Sequence, residues 1–100
     1  MSGTAQLTIT ICNKKGLHAR AAAKFVKVVG SFESELRVSK ISGNGAAGEA
    51  ESVSGTSILG LMMLGAEPGS ELLLKASGAD AQALVDAVAA MVADRFGEGE

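Results

Sequence analysis

The sequence predicts an α+β domain in which helices pack on one face of an antiparallel sheet. Three observations lead there. Apolar and polar residues alternate around Leu7, Leu36 and Leu72, and a weaker strand signal covers 49–53. Segments 19–29, 57–64 and 80–96 carry apolar residues at helical spacing instead. The order is therefore strand, helix, strand, strand, helix, strand, helix, and 100 residues suit one domain around one core.

In the first strand Leu7, Ile9 and Ile11 alternate with Thr8, Thr10 and Cys12, and Asn13-Lys14-Lys15-Gly16 breaks the pattern. From Ala19 to Val29, the residues Ala22, Phe25, Val26 and Val29 form one buried helical stripe. Arg20, Lys24 and Lys27 make a basic ridge on another face of that helix, and Gly30 ends it. Leu36 and Val38 alternate with Glu35, Arg37 and Ser39 as the second strand. Residues 42–48 hold three glycines and no large apolar side chain, which reads as the tip of a long hairpin loop over 41–50. Glu49 to Val53 returns as the third strand. Leu72, Leu74 and Ala76 form the fourth, introduced by the Pro68-Gly69 turn. The last helix runs from Asp80, an N-cap, to Phe96, with Leu84, Val88, Met91 and Val92 as its core stripe and Gly97 at its end. The ends, 1–4 and 97–100, are expected to fray.

The segment Ser57-Ile58-Leu59-Gly60-Leu61-Met62-Met63-Leu64 is uncharged and apolar on every face. Ile58, Leu61 and Met62 share one side and can serve the core. Leu59 and Met63 then point elsewhere, either into a second pocket or outward as a patch for a partner. Spacing leaves that choice open.

Composition excludes several classes. The apolar residues are chiefly Ala, Val and Leu, with three Phe and no Trp or Tyr, so the core is aliphatic. A net charge of −2 argues against nucleic acid as a partner. The charge is unevenly placed, however: Lys14, Lys15, Arg20, Lys24 and Lys27 gather five of the nine basic residues around His18. Such a field steers anionic ligands or acidic protein surfaces toward that point. Cys12 stands alone, so no intramolecular disulfide forms, and it reads as a small hydrophobe buried in a strand. One Cys and one His cannot build a four-ligand metal site, so neither metal nor cofactor is expected. There is no signal-peptide pattern and no apolar run near the roughly 20 residues that span a bilayer, so a cytoplasmic location without membrane insertion is expected.

His18, the single histidine, sits where a Gly-containing turn meets an Ala-rich helix. The first backbone N–H groups of a helix lack internal partners and make an anion site. An imidazole there is a nucleophile for a phosphoryl group, and Arg20 supplies a guanidinium suited to phosphate oxygens. No second His or nearby carboxylate completes a hydrolytic triad. A nucleophile with anion stabilisers and no water-activating base suits a carrier. The competing reading is a His18 that merely caps the helix beside a solvated Arg20.

Gly16-Leu17-His18-Ala19-Arg20, with Ala21-Ala22-Ala23-Lys24-Phe25-Val26 behind it, resembles the phosphorylation segment of the HPr family. These are the phosphocarriers of the bacterial phosphoenolpyruvate-dependent phosphotransferase system. Gly55-Thr56-Ser57-Ile58-Leu59-Gly60-Leu61-Met62-Met63-Leu64-Gly65 resembles the family's regulatory-serine segment. Glu71 to Ser77 and Gly78-Ala79-Asp80-Ala81 resemble its last strand and the start of its final helix. The resemblance covers nearly the whole chain. It implies a single open-faced β-sandwich, βαββαβα, with a four-stranded antiparallel sheet (order 1-4-2-3) covered on one face by three helices. It also implies that His18 accepts a phosphoryl group from enzyme I as pros-phosphohistidine and passes it to IIA-type domains, as a stoichiometric carrier and not an enzyme. By position, Arg20 matches the phosphate-binding arginine, and Ser57 the serine modified by HPr kinase/phosphorylase. Ala19, Lys24, Lys27, Leu59, Met62 and Met63 match the docking surface, which turns the ambiguous apolar helix toward an exposed patch. The resemblance implies a monomer.

Three departures stand out. Ala21 replaces the proline common after the His-x-Arg triplet, and Ala is well tolerated in a first helical turn. Thr56 precedes the serine where many relatives carry lysine, and the hairpin through 42–48 is longer than usual. The alternatives from other classes are a regulatory interaction module that transfers nothing and a small-ligand sensor domain. The intact His18–Arg20 pair speaks against the first. Sugar-transport and nitrogen-type branches are not distinguished.

Overall fold

The computed structural model describes residues 3–41 and 52–97. The elements are β1 (Gly3–Thr10), α1 (Ala19–Gly30), β2 (Glu35–Ile41), β3 (Ser52–Ser54), α2 (Ile58–Met63), β4 (Glu71–Gly78) and α3 (Ala81–Ala93), followed by a short turn at Arg95–Gly97. The strands form one antiparallel sheet in the order β1-β4-β2-β3. β4 pairs with β1 from Gly3↔Gly78 to Thr10↔Glu71, and with β2 from Glu35↔Ser77 to Ile41↔Glu71. The expected open-faced sandwich of helices on one side of a four-stranded sheet is the fold observed.

Alternation decides which face is covered. Ile9, Leu36, Val38, Leu72, Leu74 and Ala76 point inward and are buried, while the intervening Thr8, Glu35, Arg37 and Lys75 are exposed. From the helical side Ala21, Ala22, Phe25 and Val29 of α1, Leu61 of α2, and Leu84, Val85, Val88 and Val92 of α3 close the core. Phe25 and Phe96 are its largest fully buried side chains.

Several boundaries differ from the sequence reading. β1 begins at Gly3, inside the segment expected to fray, because β4 extends far enough to pair with it. Among the described residues the third strand is Ser52–Ser54, running one residue past the expected Val53, and its partners are Ser39, Val38 and Arg37. The loop 42–48, residues 49–51, and the outermost residues 1, 2 and 98–100 lie outside the described residues. Helix α1 includes Gly30, and its cap is Ser31, whose N–H donates to the Val28 carbonyl at 3.1 Å. Val26 is only half-buried, and Ala21 takes its place in the stripe. Cys12 is exposed just beyond β1, where the alternation that turns Ile11 inward turns the next residue out; its thiol donates to the Val92 carbonyl at 3.2 Å.

The end of α3 departs further. The helix stops at Ala93, and Arg95, Phe96 and Gly97 adopt left-handed backbone with φ of 55°, 55° and 76°. The Gly97 N–H donates to the Asp94 carbonyl at 2.9 Å, and the turn drives Phe96 into the core at 2 % exposure. Phe96 falls four residues after Val92, so periodicity alone continues the helix through it. Met91 is half-buried, and Ala81 and Val85 complete the stripe instead.

Asp80 stands at the N-cap position of α3 but caps nothing with its side chain. Its carboxylate reaches the connection between α1 and β2, accepting from Ser34 Oγ (2.5 Å), Ser34 N (2.8 Å) and Glu33 N (3.0 Å). The Asp80 N–H donates back to Ser34 Oγ at 3.0 Å. This reciprocal contact joins the end of β4 to the start of β2, and three donors on one carboxylate outweigh a single cap bond. The Ser34 hydroxyl, with the Glu33 amide behind it, holds the Asp80 carboxyl below its ordinary value of 3.8. A lowered folded-state pKa gives stability that is present above the unfolded value and lost as pH falls through the folded one. The melting temperature should therefore drop as pH is taken below about 4, and Asp80→Asn should remove that part of the acid dependence. Thermal melts of both proteins across that range check it.

Candidate functional site

The site is built by the loop that carries the chain from β1 to α1. Its base stays tied to the turn before β4: Ile11 N donates to the Ser70 carbonyl, and Gly69 N to the Ile11 carbonyl, both at 2.8 Å. Asn13, fully buried, donates from Nδ2 to the Gly16 carbonyl at 2.8 Å, closing the turn from within. Gly16 has φ of +69°, and a Cβ there would stand 2.5 Å from the Ala66 carbonyl oxygen. Only glycine meets both demands. The next residue uses that closeness: Leu17 N donates to the Ala66 carbonyl at 2.9 Å while its side chain is buried. The loop is thereby held against the segment that follows α2.

His18 emerges from this clamp as the N-cap of α1, with extended backbone (φ −83°, ψ −178°) and a half-buried side chain. The Ala22 N–H donates to its carbonyl at 2.8 Å, and Nδ1 accepts from the Arg20 N–H at 3.2 Å. As the acceptor, Nδ1 holds a lone pair directed at the first turn of the helix, and in the neutral ring the proton is on Nε2. Capping and an orientation toward the helix N-terminus are thus one arrangement. Arg20 and Ala19 are exposed in that turn.

The basic ridge divides. Lys27 is exposed in the last turn of α1. Lys24 is also exposed along its length, but its Nζ donates to the Phe96 carbonyl at 2.6 Å. It therefore fastens the left-handed turn after α3 to the helix that bears His18, and favours the carbonyl end of α3. The sequence reading, which saw only spacing along α1, missed this bond.

Ser57 is the N-cap of α2: its Oγ accepts from the Gly60 N–H and its carbonyl from the Leu61 N–H, each at 3.0 Å. A Cβ on Gly60 would stand 3.0 Å from both Ser57 Oγ and Val53 Cβ, so glycine lets the cap close. Thr56 turns aside, its Oγ1 sharing a 2.9 Å hydrogen bond with Ser54 Oγ. Within α2 only Leu61 is buried; Ile58, Leu59, Met62 and Met63 are 42, 69, 43 and 76 % exposed. Ile58 and Met62 do not serve the core, because a two-turn helix lying on α1 offers it one narrow stripe. The patch lies next to the His18 loop, since α2 packs on α1 and the Leu17–Ala66 bond ties the two connections.

Comparison with known proteins agrees with this fold and motif order. The family model described as "PTS HPr component phosphorylation site" matches residues 5–94. A phosphocarrier protein HPr of Cupriavidus necator is 45% identical over 95% of this chain and 98% of its own length. A phosphocarrier protein NPr of Shewanella violacea is 40% identical over 90% of each. The crystal structure of HPr-C-His from Thermoanaerobacter tengcongensis superposes with a TM-score of 0.82 at 36% identity, covering 94% of this chain and 97% of that one. The chain belongs to the HPr family of phosphocarriers of the phosphotransferase system. No helix among the described residues is long and apolar enough to cross a membrane.

Sequence reasoning missed Asn13, read only as a turn residue, and the role of Ala66. Asn ahead of Lys-Lys-Gly signals a turn, whereas its full burial is a property of the folded chain. Gly16→Ala should destabilise the fold by about 2 kcal/mol, from a left-handed backbone without glycine together with the collision at Ala66. Urea denaturation measures this, and the amide resonances of Leu17 and His18 should shift with it.

Proposed function

We propose that this protein carries phosphoryl groups on His18 Nδ1, taking them from phosphorylated enzyme I and delivering them to IIA-type domains. The observation that carries this reading is the direction of Nδ1, whose lone pair faces the N-terminus of α1. In the transfer Nδ1 attacks phosphorus, a P–N bond forms, and the bond from phosphorus to its donor atom on enzyme I breaks, leaving the electron pair on the donor. Nδ1 exchanges its hydrogen bond from Arg20 N–H for the new bond. The phosphoryl oxygens then lie by the unpaired N–H groups of the first turn, where the helix dipole favours negative charge. Arg20, exposed in the same turn, supplies charge-assisted hydrogen bonds. With no second histidine in the chain to activate water, the phosphate is kept until the IIA-type domain reverses the same displacement. The protein is a stoichiometric carrier acting as a cytoplasmic monomer.

Docking uses Ala19, Lys27 and the patch of Leu59, Met62 and Met63, with Lys24 adding charge while it holds the Phe96 turn. Apolar side chains exposed to this degree and set beside a basic ridge suit a partner with an apolar centre and an acidic rim. Ser57 is the target of an HPr kinase/phosphorylase. Its hydroxyl already sits at the start of α2, where a phosphate gains from the unpaired N–H groups and leaves the fold intact. The same dianion disturbs a patch that binds by desolvation.

Two expectations follow. His18→Asn should abolish acid-labile labelling by enzyme I and phosphoenolpyruvate while keeping the helix cap. His18→Ala should abolish labelling and also lose about 1 kcal/mol of stability with the cap. Labelling retained in either variant would overturn the assignment, and the pair of melts separates transfer from capping. Ser57→Asp should raise the KM of enzyme I for this protein and leave the melting temperature nearly unchanged. Unaltered phosphotransfer kinetics, or collapse of the fold, would contradict the role given to Ser57.

A further inference from the structure

The open face of the sheet carries an electrostatic arrangement that the phosphocarrier reading does not use. Register places Lys75 of β4 directly between Gln6 of β1 and Arg37 of β2, and Ser54 of β3 completes the row. Gln6, Lys75 and Arg37 are exposed, while their strand neighbours Leu36, Val38, Leu74 and Ala76 are buried on the other side. Side chains directly opposed in an antiparallel ladder have Cβ atoms about 4.5–5.5 Å apart, and like charges there are destabilising. The row contains no carboxylate. Glu35 lies in the adjacent row with Ser77 and Thr4, diagonal to Lys75, and pairs with neither cation.

The two cations are also prepared differently. Arg37 donates from Nε to Ser52 Oγ at 3.1 Å and from Nη2 to the Ser52 carbonyl at 2.8 Å, which fixes its plane and leaves the Nη1 hydrogens to a further acceptor. The Lys75 ammonium has no hydrogen-bond or ion-pair partner among the described residues. A solvent-open depression of about 520 Å³ lies over the pair, with Thr4, Gln6 and Ser77 at its rim.

We propose that this depression is a second anion site that takes the phosphate monoester of a small hydroxylated molecule. Lys75 and Arg37 hold the phosphate oxygens, the first as a point charge and the second through its oriented N–H groups. The Thr4 and Ser77 hydroxyls and the Gln6 amide serve the hydroxyls of the organic part, for which the depression has room beyond the phosphate. Among the described residues the face has no aromatic side chain for stacking on bases and only Leu73 and Ile41 as sizeable apolar groups, so neither nucleic acid nor an apolar protein surface fits it. Occupancy leaves His18 open, because α1 lies across the sheet.

The test is an amide-resolved NMR titration of the full chain with glycerol 3-phosphate at constant ionic strength, with inorganic phosphate and sodium chloride as parallel arms. Saturable shifts are expected at the amides of Gln6, Arg37, Lys75 and Ser77, and they should persist in His18→Asn. Lys75→Gln should weaken binding by about tenfold, as for the loss of a charge-assisted contact, without lowering the melting temperature, since it relieves a like-charge pair. Shifts confined to residues 18–21, shifts reproduced by chloride, or an unchanged affinity in Lys75→Gln would overturn the site. Inorganic phosphate binding as tightly as the ester would overturn the monoester assignment and mark an adventitious ion only.

Discussion

The position of β4 between β1 and β2 is the constraint on which the remaining geometry depends. Its inward residues Leu72, Leu74 and Ala76 form the floor of the core. Its two ends carry the connections that matter. Before the strand, Gly69 and Ser70 hold the start of the site loop through Ile11. After it, Asp80 reaches back to Ser34 and fixes where β2 begins. A strand paired on both sides cannot shift register without turning its apolar set outward, so both connections inherit its rigidity.

Rigidity is transmitted to His18 by a short series of contacts. The segment leading into β4 presents the Ala66 carbonyl, Leu17 binds it, and Gly16 permits the approach. The imidazole is then placed by two backbone features at once, the extended N-cap conformation and the Arg20 N–H aimed at Nδ1. Lys24 ties the same helix to the far end of the chain, where its bond to the Phe96 carbonyl offsets part of the cost of consecutive left-handed residues. Helix α1 is therefore anchored at its first turn by the site loop and in its middle by the turn after α3. A side chain on such an element keeps its direction while its surroundings remain accessible.

The two faces of the sheet divide the chemistry. On the helical side the apolar residues left over by a very short α2 lie beside the His18 loop, so the exposed patch follows from geometry: six residues bury one of their number fully. On the open side, register alone brings Lys75 and Arg37 together from strands distant in sequence. Arg37 also ties β2 to β3 through its two bonds to Ser52, whereas Lys75 makes no such bond among the described residues.

Much of the fold was legible in the sequence because alternation in β2 and β4 and the Phe25–Val29 stripe in α1 are local consequences of burying one face. The placement of His18, Arg20 and Ser57 at helix starts was legible as well, since turn, cap and helix start are set by neighbours along the chain. Tertiary structure decided what local pattern leaves open. Ile58 and Met62 have core-like spacing, yet the limited contact of α2 with α1 leaves them in solvent. Phe96 continues a helical stripe, but the turn after Ala93 buries it in another way. Asp80 has the residue type of a cap and is drawn instead to Ser34, and Lys24 has that of a solvated ridge and is drawn to the Phe96 carbonyl. The sequence by itself determined which residues prefer burial, capping or turning. Which partner satisfies each polar group was decided by the fold, because those partners lie tens of residues away and compete with the local ones only once the sheet has formed.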